Sequence, residues 1–137
     1  MIVMICVDNH YGMLFGERRQ SQDRIIRQDI LSMSRGKRLF MNAYSKKQFT
    51  EEADNINVSE SFLEEAQDGD FCFVENVDIT PFVQKIEKLI LYYWGRIYPA
   101  DKYLTLDMSK WQLLESKEFQ GYSHDYILRE ICVKRNR

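Results

Sequence analysis

Polar side chains follow three apolar, strand-like stretches of the sequence, at the points where those strands would end. The residues concerned are Asp8, Asn42, Glu75 and Asn76. Because the carboxyl ends of parallel strands meet at one edge of a sheet, and loops converge there to bind ligands, we expect these four side chains to line one cleft. Carboxylates and amides at such an edge suit the recognition of a small polar ligand.

Three further charged residues, Arg18, Arg19 and Asp23, are predicted to overhang this edge from a loop and the start of a helix. Arginines that face carboxylates form a mixed-charge pocket suited to a small zwitterionic or phosphate-bearing ligand. If Asp23 and Glu75 lie close together, they would shift each other's pKa and act as an acid–base pair. The alternatives are that the two arginines form only surface ion pairs, and that Asp23 only complements a helix dipole.

A helix predicted to begin near Ser45 carries Lys46 and Lys47 in its first turn. Backbone N–H groups at a helix start, together with two ammonium groups, can hold an anion. Two lysines early in a helix are equally typical of solvated surface, so both interpretations stay open.

The residue types give little support to metal-dependent or thiol-dependent chemistry. A two-metal ribonuclease needs a His-x-His-x-Asp-His cluster, whereas His10 and His124 are isolated, so we exclude that activity and predict no metal site. The three cysteines, Cys6, Cys72 and Cys132, are far apart and lie in apolar runs. Buried free thiols are therefore predicted, rather than a disulfide, a zinc site or a catalytic nucleophile.

The composition is that of a globular protein. The 137 residues are 45% hydrophobic with a net charge of −2, which indicates one domain spanning residues 1–137 and no general attraction to nucleic acid. The longest apolar run, residues 1–7, is too short to cross a bilayer and lacks the features of a signal peptide. We predict a cytoplasmic protein with no membrane or nucleic-acid partner.

Strand and helix patterns alternate along the chain and predict an α/β fold with a mainly parallel central sheet flanked by helices. A loop is predicted over residues 8–21, and Ser21 is the predicted N-cap of a helix that carries Asp23 in its first turn and buries Ile26 and Ile30. Strands are predicted at 1–7, 38–41, 56–58, 71–74, 89–94, 111–114 and 126–133, and further helices at 45–53, 60–66 and from Thr80.

The aromatic cluster Tyr92, Tyr93 and Trp94 admits two interpretations. Aromatic rings can stack on the bases of single-stranded nucleic acid. Without an excess of basic residues, we interpret the cluster as core or interface packing. If Tyr92 or Trp94 is exposed, it would contribute to the face of a homodimer.

The C-terminal third resembles dihydrofolate reductases in the order and spacing of its elements. It contains an apolar strand at 89–94, the turn Tyr98-Pro99-Ala100-Asp101-Lys102-Tyr103, a strand led by Trp111 and a closing strand at 126–133. Residues 1–7, followed by Gly12-Met13, are similar to that family's first strand and its mobile loop. The resemblance implies a three-layer fold with an antiparallel C-terminal strand or hairpin, and a structural role for Asp101.

The resemblance also implies roles for particular residues. Asp23 matches the acid that anchors the pterin ring and assists its protonation, and Ser45 keeps one hydroxyl of the motif that binds cofactor phosphates. Glu75 and Asn76 stand where the family has a Gly-Gly pair that admits the nicotinamide and the pyrophosphate, and a carboxylate there opposes a dianionic group. The region of residues 49–56 is shorter than in that family, which places there its contacts to the adenosine 2′-phosphate of NADPH.

Two functions follow from these patterns. In the first, the protein binds a small pterin- or nucleotide-like ligand in the cleft at the carboxyl ends of the strands and lacks the usual NADPH contacts. In the alternative, it is an NAD(P)H-dependent reductase of a pterin-like substrate, with Asp23 as the proton-relay acid.

Overall fold

A computed structural model describes residues 1–135 of the chain. The strands are β1 (Ile2–Val7), β2 (Gly12–Phe15), β3 (Arg18–Arg19), β4 (Leu39–Met41), β5 (Ile56–Val58), β6 (Phe71–Phe73), β7 (Lys88–Tyr93), β8 (Lys102–Tyr103), β9 (Trp111–Phe119) and β10 (Ile127–Lys134). The α-helices are α1 (Arg24–Met33), α2 (Ala43–Lys46) and α3 (Phe62–Glu65), and short 3₁₀ helices cover Thr80–Lys85 and Met108–Lys110.

A mixed sheet of seven strands forms the centre of the molecule, in the order β5-β4-β6-β1-β7-β10-β9. Strands β5, β4, β6, β1 and β7 are parallel to one another. At one end of the sheet, β10 pairs antiparallel with both β7 and β9. Strand β1 is central and apolar, as expected of a strand that is covered on both faces. The predicted parallel sheet with an antiparallel C-terminal hairpin is confirmed.

Successive side chains of each strand point to opposite faces of this sheet, and helices cover both faces. Met4 of β1 packs with Ile26 and Ile30 of α1 in one apolar cluster. Val3 and Ile5 point to the other face, where they join the cluster that contains Phe62 and Leu63 of α3. Three layers result, and the carboxyl ends of the parallel strands meet at one edge.

Two strands of a small second sheet lie where a loop was predicted over residues 8–21, and the third strand is β8. Its strand order is β3-β2-β8, and β2 and β3 form a hairpin that pairs Phe15 with Arg18. The two residues between them, Gly16 and Glu17, have φ angles of 58° and 65°. Positive φ at both turn positions is typical of a type I′ turn, whose twist matches that of a hairpin. The prediction of a loop was therefore wrong for this segment.

The helix starts differ from the predictions. Asp23, rather than Ser21, is the N-cap of α1, because its carboxylate accepts a hydrogen bond from the Ile25 N–H at 2.8 Å. Helix α2 begins at Ala43 and ends after four residues, since Phe49 turns into the core and packs edge-on against Phe73. The helix predicted from Thr80 is a 3₁₀ helix.

The aromatic cluster belongs to the core. Tyr92 and Trp94 are both buried, which confirms that these two side chains pack in the core. The three cysteines are free thiols; Cys72 and Cys132 are buried as predicted, whereas Cys6 is only partly buried. Asp101 accepts a hydrogen bond from the Gly16 N–H, which agrees with its expected structural role. Over residues 1–135, no helix has the length and apolar character needed to cross a membrane.

Candidate functional site

The four polar residues predicted at the strand ends all lie at the carboxyl edge of the sheet. Asp8 follows β1, Asn42 follows β4, and Glu75 and Asn76 come just after β6. Asn42 Nδ2 donates to the side-chain oxygen Oδ1 of Asn76 at 2.8 Å. Asn42 Oδ1 accepts from the Ser45 N–H and so caps α2. Two of the predicted residues therefore form one amide pair between neighbouring strands.

Glu75 is the centre of a buried polar cluster, with only 8% of its surface exposed. The Arg19 guanidinium donates to both carboxylate oxygens, at 2.9 and 3.1 Å. Ser45 Oγ and Gln48 Nε2 donate to the same carboxylate, each at 2.8 Å. A bidentate arginine and two neutral donors occupy both oxygens of this carboxylate, so it is not left unpaired inside the protein.

Arg19 is held in place by Tyr44. The guanidinium carbon lies 4.3 Å from the centre of the Tyr44 ring, a cation–π arrangement, and the Arg19 N–H donates to the Tyr44 hydroxyl at 2.8 Å. The neighbouring Arg18 is exposed and has no hydrogen-bonding partner for its side chain among residues 1–135. The structure thus brings Arg19 to Glu75 and leaves Arg18 at the surface.

Asp8 serves the turn between β1 and β2. Its carboxylate accepts from the N–H groups of His10, Gly12 and Tyr98 and from the Gln20 side chain. Burial alone would raise the pKa of Asp8, but these donors outweigh burial and lower it. A Cβ atom at Gly12 would lie 2.6 Å from this carboxylate, so only glycine fits there. Asp8 makes no contact with Glu75.

Asp23 is buried, with 3% of its surface exposed, and forms a second polar cluster. Besides capping α1, its carboxylate accepts from the N–H groups of Tyr122 and Ser123 and from the His124 ring. Burial favours a higher pKa for Asp23, but the hydrogen bonds from Tyr122, His124, Ser123 and Ile25 lower it to about 2. Asp23 is therefore ionised at neutral pH and is engaged by the protein itself.

His124 links Asp23 to the surface. Its Nδ1 lies 2.8 Å from Asp23 Oδ2, and its Nε2 lies 2.9 Å from the Ser21 hydroxyl and 3.3 Å from the Tyr98 hydroxyl. The Trp94 ring lies against the imidazole, with 4.8 Å between ring centres. His124 itself is 5% exposed, whereas Ser21 is partly exposed.

The loop between β9 and β10 supplies His124 and closes over Asp23. Its Gly121 N–H donates to the His124 carbonyl at 2.8 Å. A Cβ atom at Gly121 would lie 2.6 Å from Asp23 Oδ2 and 2.9 Å from Ile127. Only glycine permits this close approach, so the loop is fitted to the Asp23 carboxylate.

The start of α2, where an anion was predicted to bind, already contacts a carboxylate of the protein. Glu60 Oε2 accepts from the Ala43 N–H at 2.9 Å. The Ser45 hydroxyl donates to Glu75, and the Lys46 ammonium donates to the Phe49 carbonyl. The Ala43 N–H, Ser45 and Lys46 are thus engaged within the chain, whereas Lys47 is exposed.

Asp23 and Glu75 occupy separate clusters and share no hydrogen bond among the described residues. Cys6 on β1 is affected by both. Burial raises the pKa of its thiol well above the ordinary value, the negative charges of Glu75 and Asp23 add to this effect, and Arg19 opposes it. An acid–base pair of Asp23 and Glu75 is therefore not formed by direct contact in this structure.

Several residues of these clusters were not singled out from the sequence. They are Ser21 as a partner of histidine, Tyr44, Gln48, Trp94, Tyr98 and His124. The chain has only two histidines, and His124 stands in a Gly-Tyr-Ser-His segment. This scarcity of histidine is the feature of the sequence that could have drawn attention to His124. No group of three or more His, Cys, Asp or Glu side chains within residues 1–135 is arranged to hold a metal ion.

Comparisons with known proteins identify the fold. No protein-family model and no curated protein matches the sequence. The structure of dihydrofolate reductase from Enterococcus faecalis, complexed with NADP(H) and RAB-propyl, is similar over 99% of this chain and 96% of the reductase, with a TM-score of 0.68 and 8% sequence identity. At such low identity the likeness concerns the fold alone. The chain has a dihydrofolate-reductase-like fold, strongly divergent in sequence.

Proposed function

We propose that the protein binds a small pterin- or guanine-like ligand at the carboxyl edge of its sheet, through the Glu75 carboxylate, and does not use the usual NADPH contacts. The observation that carries this proposal is the Glu75–Arg19 pair stacked on Tyr44. The planar Arg19 guanidinium directs two N–H donors at the Glu75 carboxylate, and the Tyr44 ring lies against the face of this guanidinium.

Pterins and guanine carry the same donor pattern as the arginine fork. A ring N–H and the adjacent exocyclic amino group point in one direction and can donate to both oxygens of a carboxylate. Such a heterocycle would take the place of the Arg19 guanidinium and stack on the Tyr44 ring. Arg19 stands on the β2–β3 hairpin, and that hairpin must move aside for the ligand to bind.

The surroundings of the cleft disfavour NADPH. Glu75 places a negative charge where a dinucleotide pyrophosphate would approach, and Glu60 holds an N–H group at the start of α2 that would otherwise contact phosphate. The alternative reductase would need Asp23 as its proton-relay acid. That carboxylate is covered by the β9–β10 loop, which donates to it from the Tyr122 and Ser123 N–H groups and from His124, and this counts against the alternative.

Calorimetric titration of the purified protein with pterin, guanosine, adenosine and NADPH tests the proposal. We expect pterin and guanosine to bind with a Kd below about 100 μM, about −5.5 kcal/mol. Adenosine lacks the paired donors and serves as the matched negative ligand. Glu75→Gln keeps the size of the side chain and removes its charge, and we expect it to weaken binding at least about tenfold. Glu52→Gln, at an exposed site, is the control for loss of a glutamate charge.

Two results would contradict this function. Equal affinity for adenosine and guanosine would remove the role of the paired donors. Binding of NADPH, followed by its oxidation when a dihydropterin is added, would favour the reductase instead. Thermal unfolding of Glu75→Gln distinguishes lost binding from lost folding.

A further inference from the structure

The Asp23 cluster contains a hydroxyl, an imidazole and a carboxylate in a continuous chain of hydrogen bonds. The Ser21 hydroxyl lies 2.9 Å from His124 Nε2, and His124 Nδ1 lies 2.8 Å from Asp23 Oδ2. The two hydrogen bonds use opposite nitrogens of one ring. This order and these distances are the geometry by which a serine is activated as a nucleophile, wherever its members lie in the sequence.

The hydrogen bonds of Asp23 define which nitrogen of His124 carries the proton. An ionised carboxylate only accepts, so Nδ1 donates to Asp23; in the neutral imidazole the opposite nitrogen, Nε2, then accepts from the Ser21 hydroxyl. Nε2 is the base that a serine nucleophile requires. Ser123 is differently placed, because its hydroxyl lies 3.2 Å from Nδ1, the nitrogen that already carries a proton.

The surroundings hold the base rigid and leave the nucleophile accessible. Trp94 lies against one face of the His124 ring, and the Asp23 carboxylate is fixed by N–H groups from two segments of the chain. Ser21 is partly exposed, whereas His124 and Asp23 are buried. Of these three residues, Ser21 is therefore the one that reaches the surface.

Two features beside Ser21 bear on the substrate. Ser21 stands two residues before Asp23, the N-cap of α1, so an oxyanion formed at Ser21 would lie near the start of that helix, where the Ile25 N–H already donates to the Asp23 carboxylate. Next to this helix start, the Arg24 guanidinium lies 3.8 Å from the centre of the Tyr122 ring, which is 68% exposed. An exposed aromatic ring with a cation beside it suits a small ester that carries an aromatic or anionic group.

We propose that Ser21 is the nucleophile of an esterase-type site, with His124 as general base and Asp23 as the group that orients it. The Ser21 Oγ–C bond forms at the ester carbonyl as the hydroxyl proton passes to Nε2 of His124. The ester C–O bond then breaks, and the leaving alkoxide takes that proton. Water then gives a proton to the same nitrogen and attacks the acyl carbon; the bond between this carbon and Ser21 Oγ breaks, Oγ takes the proton back from Nε2, and a carboxylic acid leaves. This site does not depend on ligand binding at Glu75.

Labelling with diisopropyl fluorophosphate, followed by peptide mass spectrometry, tests the proposal without any knowledge of the substrate. We expect one adduct per chain, located on Ser21 and absent from Ser21→Ala. His124→Gln removes the base, and we expect it to slow labelling at least about a hundredfold. Ser32→Ala, which removes an exposed serine of α1, is the matched control and keeps the wild-type labelling rate.

The wild-type protein alone can overturn the proposal, so the result does not depend on the folding of a variant. No adduct on the folded chain at millimolar reagent contradicts it, as does an adduct on Ser123 instead of Ser21. Hydrolysis of p-nitrophenyl acetate gives a second readout, and we expect Ser21→Ala to abolish the protein-dependent rate. An undiminished rate in Ser21→Ala would also contradict the assignment.

Discussion

Two buried carboxylates of this protein, Asp23 and Glu75, are each stabilised by their own set of hydrogen-bond donors. Asp23 is held mainly by backbone N–H groups and His124, whereas Glu75 is held by the side chains of Arg19 and its neighbours. The difference has a physical consequence. Backbone donors are fixed by the fold, while a side chain such as Arg19 can be displaced by a competing group.

The lowered pKa of Asp23 makes its contribution to stability dependent on pH. The pKa is about 2 in the folded protein against an ordinary value of 3.8. A depressed pKa stabilises the fold above the unfolded value, and this stabilisation is lost as the pH falls from about 4 towards 2. The shift corresponds to about 2 kcal/mol. We therefore expect Asp23→Asn to lower the free energy of unfolding by at least about 2 kcal/mol at pH 7.

Urea unfolding at several pH values measures this effect. The difference between wild type and Asp23→Asn should shrink steadily below pH 4. Asp54 is exposed and makes no side-chain hydrogen bond within the described residues, so Asp54→Asn should behave as the wild type at every pH. A difference for Asp23→Asn that stays constant down to pH 2 would show that the carboxylate is not specially stabilised.

The β2–β3 hairpin is the element that places Arg19 on Glu75, and its turn contains a strained residue. Glu17 has a φ of 65°, a left-handed conformation that costs a side chain with a Cβ about 1–2 kcal/mol. Asparagine tolerates this conformation far better and is favoured in type I′ turns. We expect Glu17→Asn to raise the free energy of unfolding by about 0.5–1 kcal/mol.

Chemical denaturation checks this prediction, with Glu52→Asn as the control for loss of a negative charge at an exposed position. Only the substitution at residue 17 should stabilise the protein. If Glu17→Asn is destabilising, the glutamate makes a favourable contact that outweighs its backbone strain.

At the level of elements, the sequence was most informative where a pattern is local. The apolar strand β1 and the alternating strand β10 were predicted within about one residue, since period and hydrophobicity determine such strands. The hairpin at residues 12–19 was missed because Gly16-Glu17 is not among the strong hairpin dipeptides. The N-cap of α1 was misplaced by two residues, because Ser21 and Asp23 are both good caps and only the tertiary contact of Ser21 with His124 separates them.

At the level of the whole molecule, the parallel topology allowed the carboxyl-edge residues to be predicted, because strand ends converge there whatever the side chains. The sequence did not show which side chains form hydrogen bonds with one another at that edge. Arg19 and Glu75 are 56 positions apart, and no local pattern indicates that Arg19 pairs with this carboxylate while Arg18 stays at the surface. The Ser21–His124 contact spans 103 positions and depends on a loop that closes through Gly121.

The contact between Ser21 and His124, which lie 103 positions apart, also bears on the order in which the strands assemble during folding. Strand β1 pairs with β6 and β7, and only after β7 is in place can β10 and β9 add to the sheet. Contacts of such wide separation are slow to form. We expect the Tyr122 and Ser123 amides, which donate to Asp23, to become protected from hydrogen exchange later in refolding than the amides of β1 and β7.

Pulse-labelling hydrogen exchange during refolding measures that order, and simultaneous protection of all these amides would contradict it. If the order holds, a partly folded chain in which β9 and β10 have not yet joined the sheet has Ser21 without the His124 base beside it. Any nucleophilic reactivity of Ser21 would then appear only when folding is complete, so covalent labelling of this residue would report on the finished molecule and on no intermediate that precedes it.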